Sequence, residues 1–142
     1  MVMDAAILVA AARGRSSGAV IEAAMALNLV TTERALAEAR RRIELGMQRP
    51  DLLPILDGLI LDIIVIDAEA IEHLISAAER ALREAPAGRN SSARDAHVLA
   101  LAWEAEADIW TTDRDFAGAG VATWSTPNLM RALIEPEKAT PI

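Results

Sequence analysis

Short apolar runs alternate with longer segments of helical periodicity along the whole chain. The runs that predict strands are Met1 to Met3, Leu29-Val30, Ile63 to Ile66, Ile109 to Thr112 and Val121 to Trp124. Helices are predicted over Ala5 to Ala12, Ala19 to Leu27, Glu33 to Leu45, Pro50 to Leu61, Asp67 to Ala85, Arg94 to Ala107 and from Thr126 onwards. Strands that alternate with helices form a parallel sheet with helices on both faces. The pattern therefore predicts an α/β fold.

Shorter signals mark turns, caps and ends. A Ser- and Gly-rich turn is predicted at Gly14 to Gly18 and a loop at Pro86 to Ser92, while Thr31 or Thr32 and Asp67 are in positions to cap the helices that follow them. Gly46 ends the third helix. The β-branched run at Ile63 predicts a buried parallel strand. We expect one domain over residues 1–134 and a flexible tail over residues 135–142.

The composition limits the kinds of catalytic and metal-binding site that the chain can form. Cysteine is absent from the 142 residues and only two histidines are present, which excludes disulfides, thiol nucleophiles and thiolate zinc sites. No apolar stretch reaches the roughly 20 residues of a membrane span, and no signal peptide is recognisable, so we expect a cytoplasmic protein. The net charge of −7 argues against avid nonspecific nucleic-acid binding, although it does not exclude a nuclease.

Acids follow two of the predicted strands. Asp4 comes directly after the first strand, and Asp113 and Asp115 come directly after the fourth. Ligands of parallel sheets bind beyond the carboxyl ends of the strands. Carboxylates gathered there are costly to desolvate unless a cation joins them, and Mg²⁺ or Mn²⁺ prefers such oxygen ligands. Each acid also has a structural alternative to metal binding. Asp4 could cap the helix that follows it, and Asp113 or Asp115 could form an Asx turn.

Two further acids lie on predicted helices. Asp95 lies in the first turn of its helix, on the same face as apolar residues, which indicates that its side chain faces inward. The alternative is that the helix dipole stabilises a carboxylate at this position. Glu38 lies at the edge of an apolar face, with a solvated ion pair to Arg42 as the alternative. His97 and His73 are assigned to polar helix faces, without a role. Thr111 is placed to hydrogen-bond and orient the neighbouring acids.

Four segments together resemble the PIN-domain family of metal-dependent ribonucleases, which includes the VapC-type toxins of bacterial toxin–antitoxin pairs. They are Val2 to Val9, Thr32 to Glu38, Arg94 to Ala102 and Trp110 to Phe116. The last strand and the Thr126-Pro127 helix start also fit, so the resemblance spans almost the whole chain. It implies a PIN-like three-layer α/β/α fold with a central, mostly parallel sheet of four or five strands.

The resemblance also implies a site and its cofactor. Asp4, Glu38, Asp95 and Asp113 would be the catalytic acids, and with Asp115 they would ligate one or two Mg²⁺ or Mn²⁺ ions. One departure is Ala6, where many family members carry a small polar residue that hydrogen-bonds towards the cluster. The partners implied are an RNA substrate, a small antitoxin protein and a second copy of the chain in a homodimer.

The resulting hypothesis is a metal-dependent endoribonuclease that cleaves RNA phosphodiester bonds and acts as the toxin of a bacterial toxin–antitoxin system. Arg13, Arg15 and Arg114 would position RNA phosphates, while Arg40 to Arg42 are assigned to a solvated face, with phosphate contact as the alternative. The alternative is a weak or inactive PIN-fold binding or regulatory module. A phosphatase-like hydrolase fits poorly, because such enzymes use a lysine near the nucleophile and Lys138 in the tail is the only lysine.

Overall fold

The computed structural model describes residues 1–84, 93–138 and 141. Within them, five strands form one sheet in the order β3-β2-β1-β4-β5, and every neighbouring pair is parallel. The strands are β1 (Val2–Met3), β2 (Val30–Thr32), β3 (Ile64–Ile66), β4 (Ile109–Trp110) and β5 (Thr123–Trp124). The predicted parallel α/β architecture is confirmed.

Helices connect the strands. In the described residues they are α1 (Ala5–Ala12), α2 (Ser17–Ala26), α3 (Glu33–Arg41), α4 (Leu53–Ile60), α5 (Glu72–Glu84), α6 (Ala96–Glu104) and α7 (Thr126–Ile134). Short 3₁₀ turns cover Pro50–Leu52, Ala68–Ile71, Ala93–Asp95 and Pro136–Lys138. The predicted loop at 86–92 lies outside the described residues, as do positions 139, 140 and 142 of the predicted tail.

Alternating side chains of the central strands divide the core into two halves. Val2 and Ile109 are paired in register and pack with α5 and α6, whereas Met3 and Trp110, one position on, pack with α1 to α4 and α7. Successive residues of a strand point to opposite faces of the sheet. The result is the expected three-layer α/β/α arrangement.

Two tryptophans combine apolar burial with a satisfied polar atom. The ring nitrogen of Trp110 donates to Thr126 Oγ1 at 3.0 Å, and that of Trp124 donates to Asp108 Oδ2 at 2.9 Å. Buried indole N–H groups need such partners. Both bonds fasten the β4–β5 half of the sheet to neighbouring segments.

The strand predicted as buried lies at the edge of the sheet. β3 pairs only with β2 among the described strands, and Ile64 is 56% exposed. The prediction of a buried strand was wrong because a β-branched run indicates a strand without telling a central from an edge position. Its position leaves β1 in the centre of the sheet, with β4, which is followed by Asp113 and Asp115, beside it.

Caps and helix ends differ in detail from the prediction. Thr32 caps α3 as expected, since its hydroxyl accepts from the Ala35 N–H at 2.9 Å. Asp67 stands before a 3₁₀ turn, but its side chain makes no cap bond there; Glu33 Oε1 accepts from the Ala68 N–H at 2.8 Å instead. A side chain distant in sequence therefore replaces the local cap.

The third helix ends in a wider turn than expected. Regular α-helix stops at Arg41, and Arg42–Gly46 forms a π-helical turn that reaches the predicted terminal glycine. Within it Ile43 is fully buried, whereas Leu45 is 68% exposed. Single π turns of this kind are frequently found at functional sites.

In the described part of the chain, no helix combines the length and the apolar character that crossing a membrane requires.

Truncating the buried residue of the π turn tests this packing. Ile43→Ala should lower the free energy of unfolding by about 3 kcal/mol, because it leaves a cavity in the core. Leu45→Ala, two positions on, should change it by less than about 0.5 kcal/mol. Urea denaturation measures both values. Similar losses in the two variants would show that the turn does not direct Ile43 into the core.

Candidate active site

Strand register brings Asp4 and Thr111 together. Met3 is paired with Trp110 across β1 and β4, so the next residue of each strand leaves the sheet beside the other. The Asp4 N–H donates to the Trp110 carbonyl at 3.3 Å, and the Thr111 hydroxyl donates to Asp4 Oδ2. The carboxyl edge of the sheet therefore places a carboxylate and a hydroxyl in direct contact.

Asp4 also caps α1. Its Oδ1 accepts from the Ile7 N–H at 3.0 Å, and the residue is only 6% exposed. The alternative of a helix cap is thus present in the structure, and it is compatible with a site role because each carboxylate oxygen can accept a second partner. Burial is the main cause that raises the pKa of Asp4 to about 6, and the charges of Asp113 and Asp95 add to it. The hydrogen bonds from Thr111 and Ile7 lower the pKa and offset part of this rise.

Asp113 and Asp115 lie in the turn after β4. The Asp113 N–H donates to Thr111 Oγ1 at 3.0 Å, so one hydroxyl links this turn to Asp4. Asp113 is exposed and Asp115 is half-buried. Burial raises the pKa of Asp115, and the neighbouring Asp113 charge raises it further.

Asp95 completes the group from the other side of the sheet. It ends the 3₁₀ turn before α6, is half-buried, and makes no cap hydrogen bond with its side chain. Burial is the largest cause that raises its pKa, and the charges of Asp115, Glu38 and Asp113 raise it further. The positive charge of Arg94 lowers it. Its position directly before α6 is compatible with the helix-dipole alternative, and four charged residues of the site also act on its pKa.

Glu38 joins the group less directly. It is half-buried on α3 and its Oε1 accepts from Arg42 at 2.8 Å, which is the ion pair expected as the alternative. Its charge nevertheless acts on Asp95. Glu38 therefore borders the cluster while it is held by an arginine.

The acid cluster, defined as Asp4, Glu38, Asp95, Asp113 and Asp115, has the chemistry that a hard divalent cation requires. The donors are carboxylate oxygens, and their mutual repulsion is the kind that a cation relieves. Among the described residues, however, no three acidic or histidine side chains lie close enough to hold an ion as they stand. The donor set fits Mg²⁺ or Mn²⁺, and the side chains would have to close towards it.

The arginines expected to contact RNA lie in different places. Arg13 and Arg15 are exposed beyond the last residue of α1. Since that helix starts at Asp4 and rises about 1.5 Å per residue, they lie roughly 12 Å away along its axis. Arg114 is exposed between Asp113 and Asp115. The structure brings Arg114 to the acids and leaves the other two at the opposite end of α1.

His97 is buried, and its assignment to a polar helix face was wrong. It is 4% exposed, and its Nδ1 lies 2.7 Å from Thr32 Oγ1. Burial lowers the pKa of His97 to about 4, with the Arg34 charge as the next cause; Glu38 and a backbone hydrogen bond at Arg94 oppose them. Every residue of α6 from 96 to 102 is buried, which its nearly continuous apolar sequence indicated. His73 is exposed, 3.4 Å from Glu104.

A cavity of about 440 Å³, which the sequence patterns did not predict, lies beside His97. Its walls include Thr32, Arg34, Ala68, Ile71, Ile75 and His97. The cavity adjoins the carboxyl ends of β2 and β3. Its residues come from three separate segments, so the only sequence signal for it was the histidine in an apolar helix.

The comparisons with known proteins point to one family. A family model described as the PIN domain matches residues 2–134. None of the curated proteins compared with the chain matches it. PIN domains are generally nucleases, so the match gives a nucleic acid as the class of substrate.

The raised pKa of Asp4 makes stability depend on pH. A carboxyl group whose pKa rises on folding, here from 3.8 to about 6, stabilises the protein at low pH, and this contribution is lost as the pH rises through that window. Asp4→Asn has no charge to desolvate. Relative to wild type, its free energy of unfolding should gain about 2 kcal/mol more at pH 8 than at pH 4. Urea titrations in EDTA measure this; a pH-independent difference would contradict it.

The hydroxyl of Thr32 serves both a helix cap and a buried histidine. Thr32→Ala should therefore lower the free energy of unfolding by about 2 to 3 kcal/mol. Thr32→Ser keeps the hydroxyl and loses one methyl group, so its loss should be about 1 kcal/mol. Chemical denaturation at pH 7 compares the two. Equal losses would mean that the methyl group, rather than the hydrogen bonds, accounts for the effect.

Proposed function

The chain belongs to the PIN-domain family of nucleases, and we propose that it is a metal-dependent endoribonuclease that cleaves phosphodiester bonds of RNA. The observation that carries the proposal is the convergence of the acid cluster at the carboxyl edge of the sheet. Asp4, Asp95 and Asp113 come from three separate segments, and each of the last two raises the pKa of the first. Strongly perturbed acids that cluster in this way are typical of functional sites.

The proposed cofactor is one or two Mg²⁺ or Mn²⁺ ions. Asp4, Asp95 and Asp113 would hold the metal, with Glu38 and Asp115 as further ligands. A bound divalent ion in such a site lowers the pKa of a water molecule and neutralises charge on the scissile phosphate. The support is the oxygen-only donor set and the mutual repulsion of its members.

Thr111 would act as the positioning residue of the site. Its hydroxyl donates to Asp4 Oδ2 and accepts from the Asp113 N–H, so it fixes the spacing of two proposed ligands. The Ile7 N–H holds the other oxygen of Asp4. One bond comes from the residue directly after β4 and the other from α1, which keeps the carboxylate in place before substrate binds. Ala6 offers no polar side chain to this network.

The biological setting is also a proposal. Resemblance to VapC-type proteins supports a cytoplasmic toxin whose small antitoxin partner covers the acid cluster. A homodimer is supported by exposed apolar side chains on α2, where Ile21 and Met25 are 55% and 86% exposed and lie one helical turn apart. Such neighbouring apolar residues are typical of interaction surfaces.

A catalytically weak or inactive binding module is the second candidate. Two observations favour it: Glu38 is bound to Arg42, and among the described acids no three are close enough for metal binding as they stand. Activity measurements on acid variants separate the two candidates.

Replacing single acids of the cluster tests the nuclease proposal. Asp4→Asn and Asp95→Asn should each reduce cleavage of single-stranded RNA in Mn²⁺ by at least roughly 100-fold, because each removes a metal ligand. Asp62→Asn is the matched control: this exposed acid follows α4, away from the cluster. Cleavage is followed by gel electrophoresis of an end-labelled RNA. If either cluster variant cleaves as fast as the control, the metal-site account is wrong.

A further inference from the structure

An open groove of about 620 Å³ lies beside the acid cluster. Its walls are Glu38, Arg41, Arg42, Leu45, Gly46 and Arg94. We name it the arginine groove. It shares Glu38 with the acid cluster, and Arg94 directly precedes Asp95, so the groove and the cluster are continuous.

The local structure explains how these residues come to share one wall. Glu38, Arg41, Arg42 and Leu45 recur at spacings of three and four, which places them on one side of α3 and its π turn. Arg94 reaches the same groove from the 3₁₀ turn before α6. Two elements far apart in sequence therefore contribute arginines to one surface.

The charge of the groove is opposite to that of the chain. Among the described residues that line the groove, three are arginines and one is a carboxylate, in a protein whose net charge is −7. The lone carboxylate, Glu38, is already bonded to Arg42, while Arg41 is exposed. Such a concentration of arginine suits a polyanion, because the planar guanidinium binds phosphate oxygens through two parallel hydrogen bonds.

We propose that the arginine groove binds the sugar–phosphate backbone of the RNA strand next to the cleavage position. The proposal rests on the nuclease function proposed above. A strand whose phosphate lies at the acid cluster must continue over a neighbouring surface, and the groove is continuous with the cluster through Glu38 and Arg94. Exposed Leu45 gives the groove an apolar wall for a ribose or base. Contacts to phosphates fix position and carry no sequence preference.

Salt dependence of binding tests the groove separately from catalysis. The probe is a fluorescein-labelled single-stranded RNA of mixed sequence, with every protein carrying Asp95→Asn in EDTA so that no cleavage occurs. Fluorescence anisotropy gives Kd between 50 and 200 mM KCl. Each phosphate contact to a single strand contributes about 0.7 to the slope of log Kd against log salt concentration. Replacing Arg41, Arg42 and Arg94 together by Gln should therefore lower this slope by about 2.

Two controls separate charge from an indirect structural effect. Arg131→Gln removes an exposed arginine of α7 and should leave the slope unchanged. Replacing the three groove arginines by Lys should restore most of the slope, since lysine also neutralises a phosphate.

In the active protein, Arg41→Gln should raise KM for RNA several-fold while kcat stays within about twofold of wild type, because removing uniform substrate binding acts on KM alone. Two results would overturn the groove proposal: equal salt slopes in the Gln variant and its Asp95→Asn parent, or no RNA binding by the parent at 50 mM KCl. The groove would then serve another polyanion, such as an acidic segment of a partner protein. RNA binding with the expected slopes but without cleavage by wild type would instead overturn the nuclease proposal.

Discussion

The pairing of β1 with β4 is the constraint on which the site depends. Met3 lies opposite Trp110, and the residues that follow them, Asp4 and Thr111, meet through a hydrogen bond at the carboxyl edge of the sheet. A shift of one residue in this register would direct the side chains of either strand to the wrong face. It would also break the link from Thr111 to the Asp113 backbone. Core packing and site geometry are thus set by the same pairing.

Folding concentrates negative charge at this edge, at a cost in stability. Asp4 is buried, Asp95 and Asp115 are half-buried, and the pKa of each is raised. Proteins keep such an arrangement where the charge serves binding or catalysis. On the neighbouring surface Glu38 forms an ion pair with Arg42. Since Glu38 belongs to both the acid cluster and the arginine groove, the two surfaces adjoin. Under the two proposals above, the acids would hold a divalent cation and the arginines would hold the phosphates of the RNA strand.

Much of this could be predicted from the sequence, because it depends on local signals. Apolar runs alternating with helical segments predicted the strands and the parallel sheet, and Asp4 and Asp113 were grouped because each follows a strand. The edge position of β3 could not be predicted in the same way, since strand order is a property of the whole sheet. The Thr32–His97 contact joins residues 65 positions apart, and no periodicity within α6 specifies its partner.

The arginines show the same division between local and long-range information. Arg13 and Arg15 were predicted to contact phosphates because of their charge, yet α1 carries them away from the acids. Arg41 and Arg42 were assigned mainly to a solvated face because their helical surface is polar. Only the approach of Arg94 from another segment makes that surface a groove. Sites built from several segments become visible when the fold is known.

Binding of Mn²⁺ to the metal-free protein, measured by isothermal titration calorimetry, tests the central claim most directly. If the carboxylates converge on a cation site, titration should show saturable binding of one or two ions per chain, and this binding should be lost when Asp95 is replaced by Asn. Absence of saturable binding to the wild-type protein, or binding that the replacement leaves unchanged, would contradict the account.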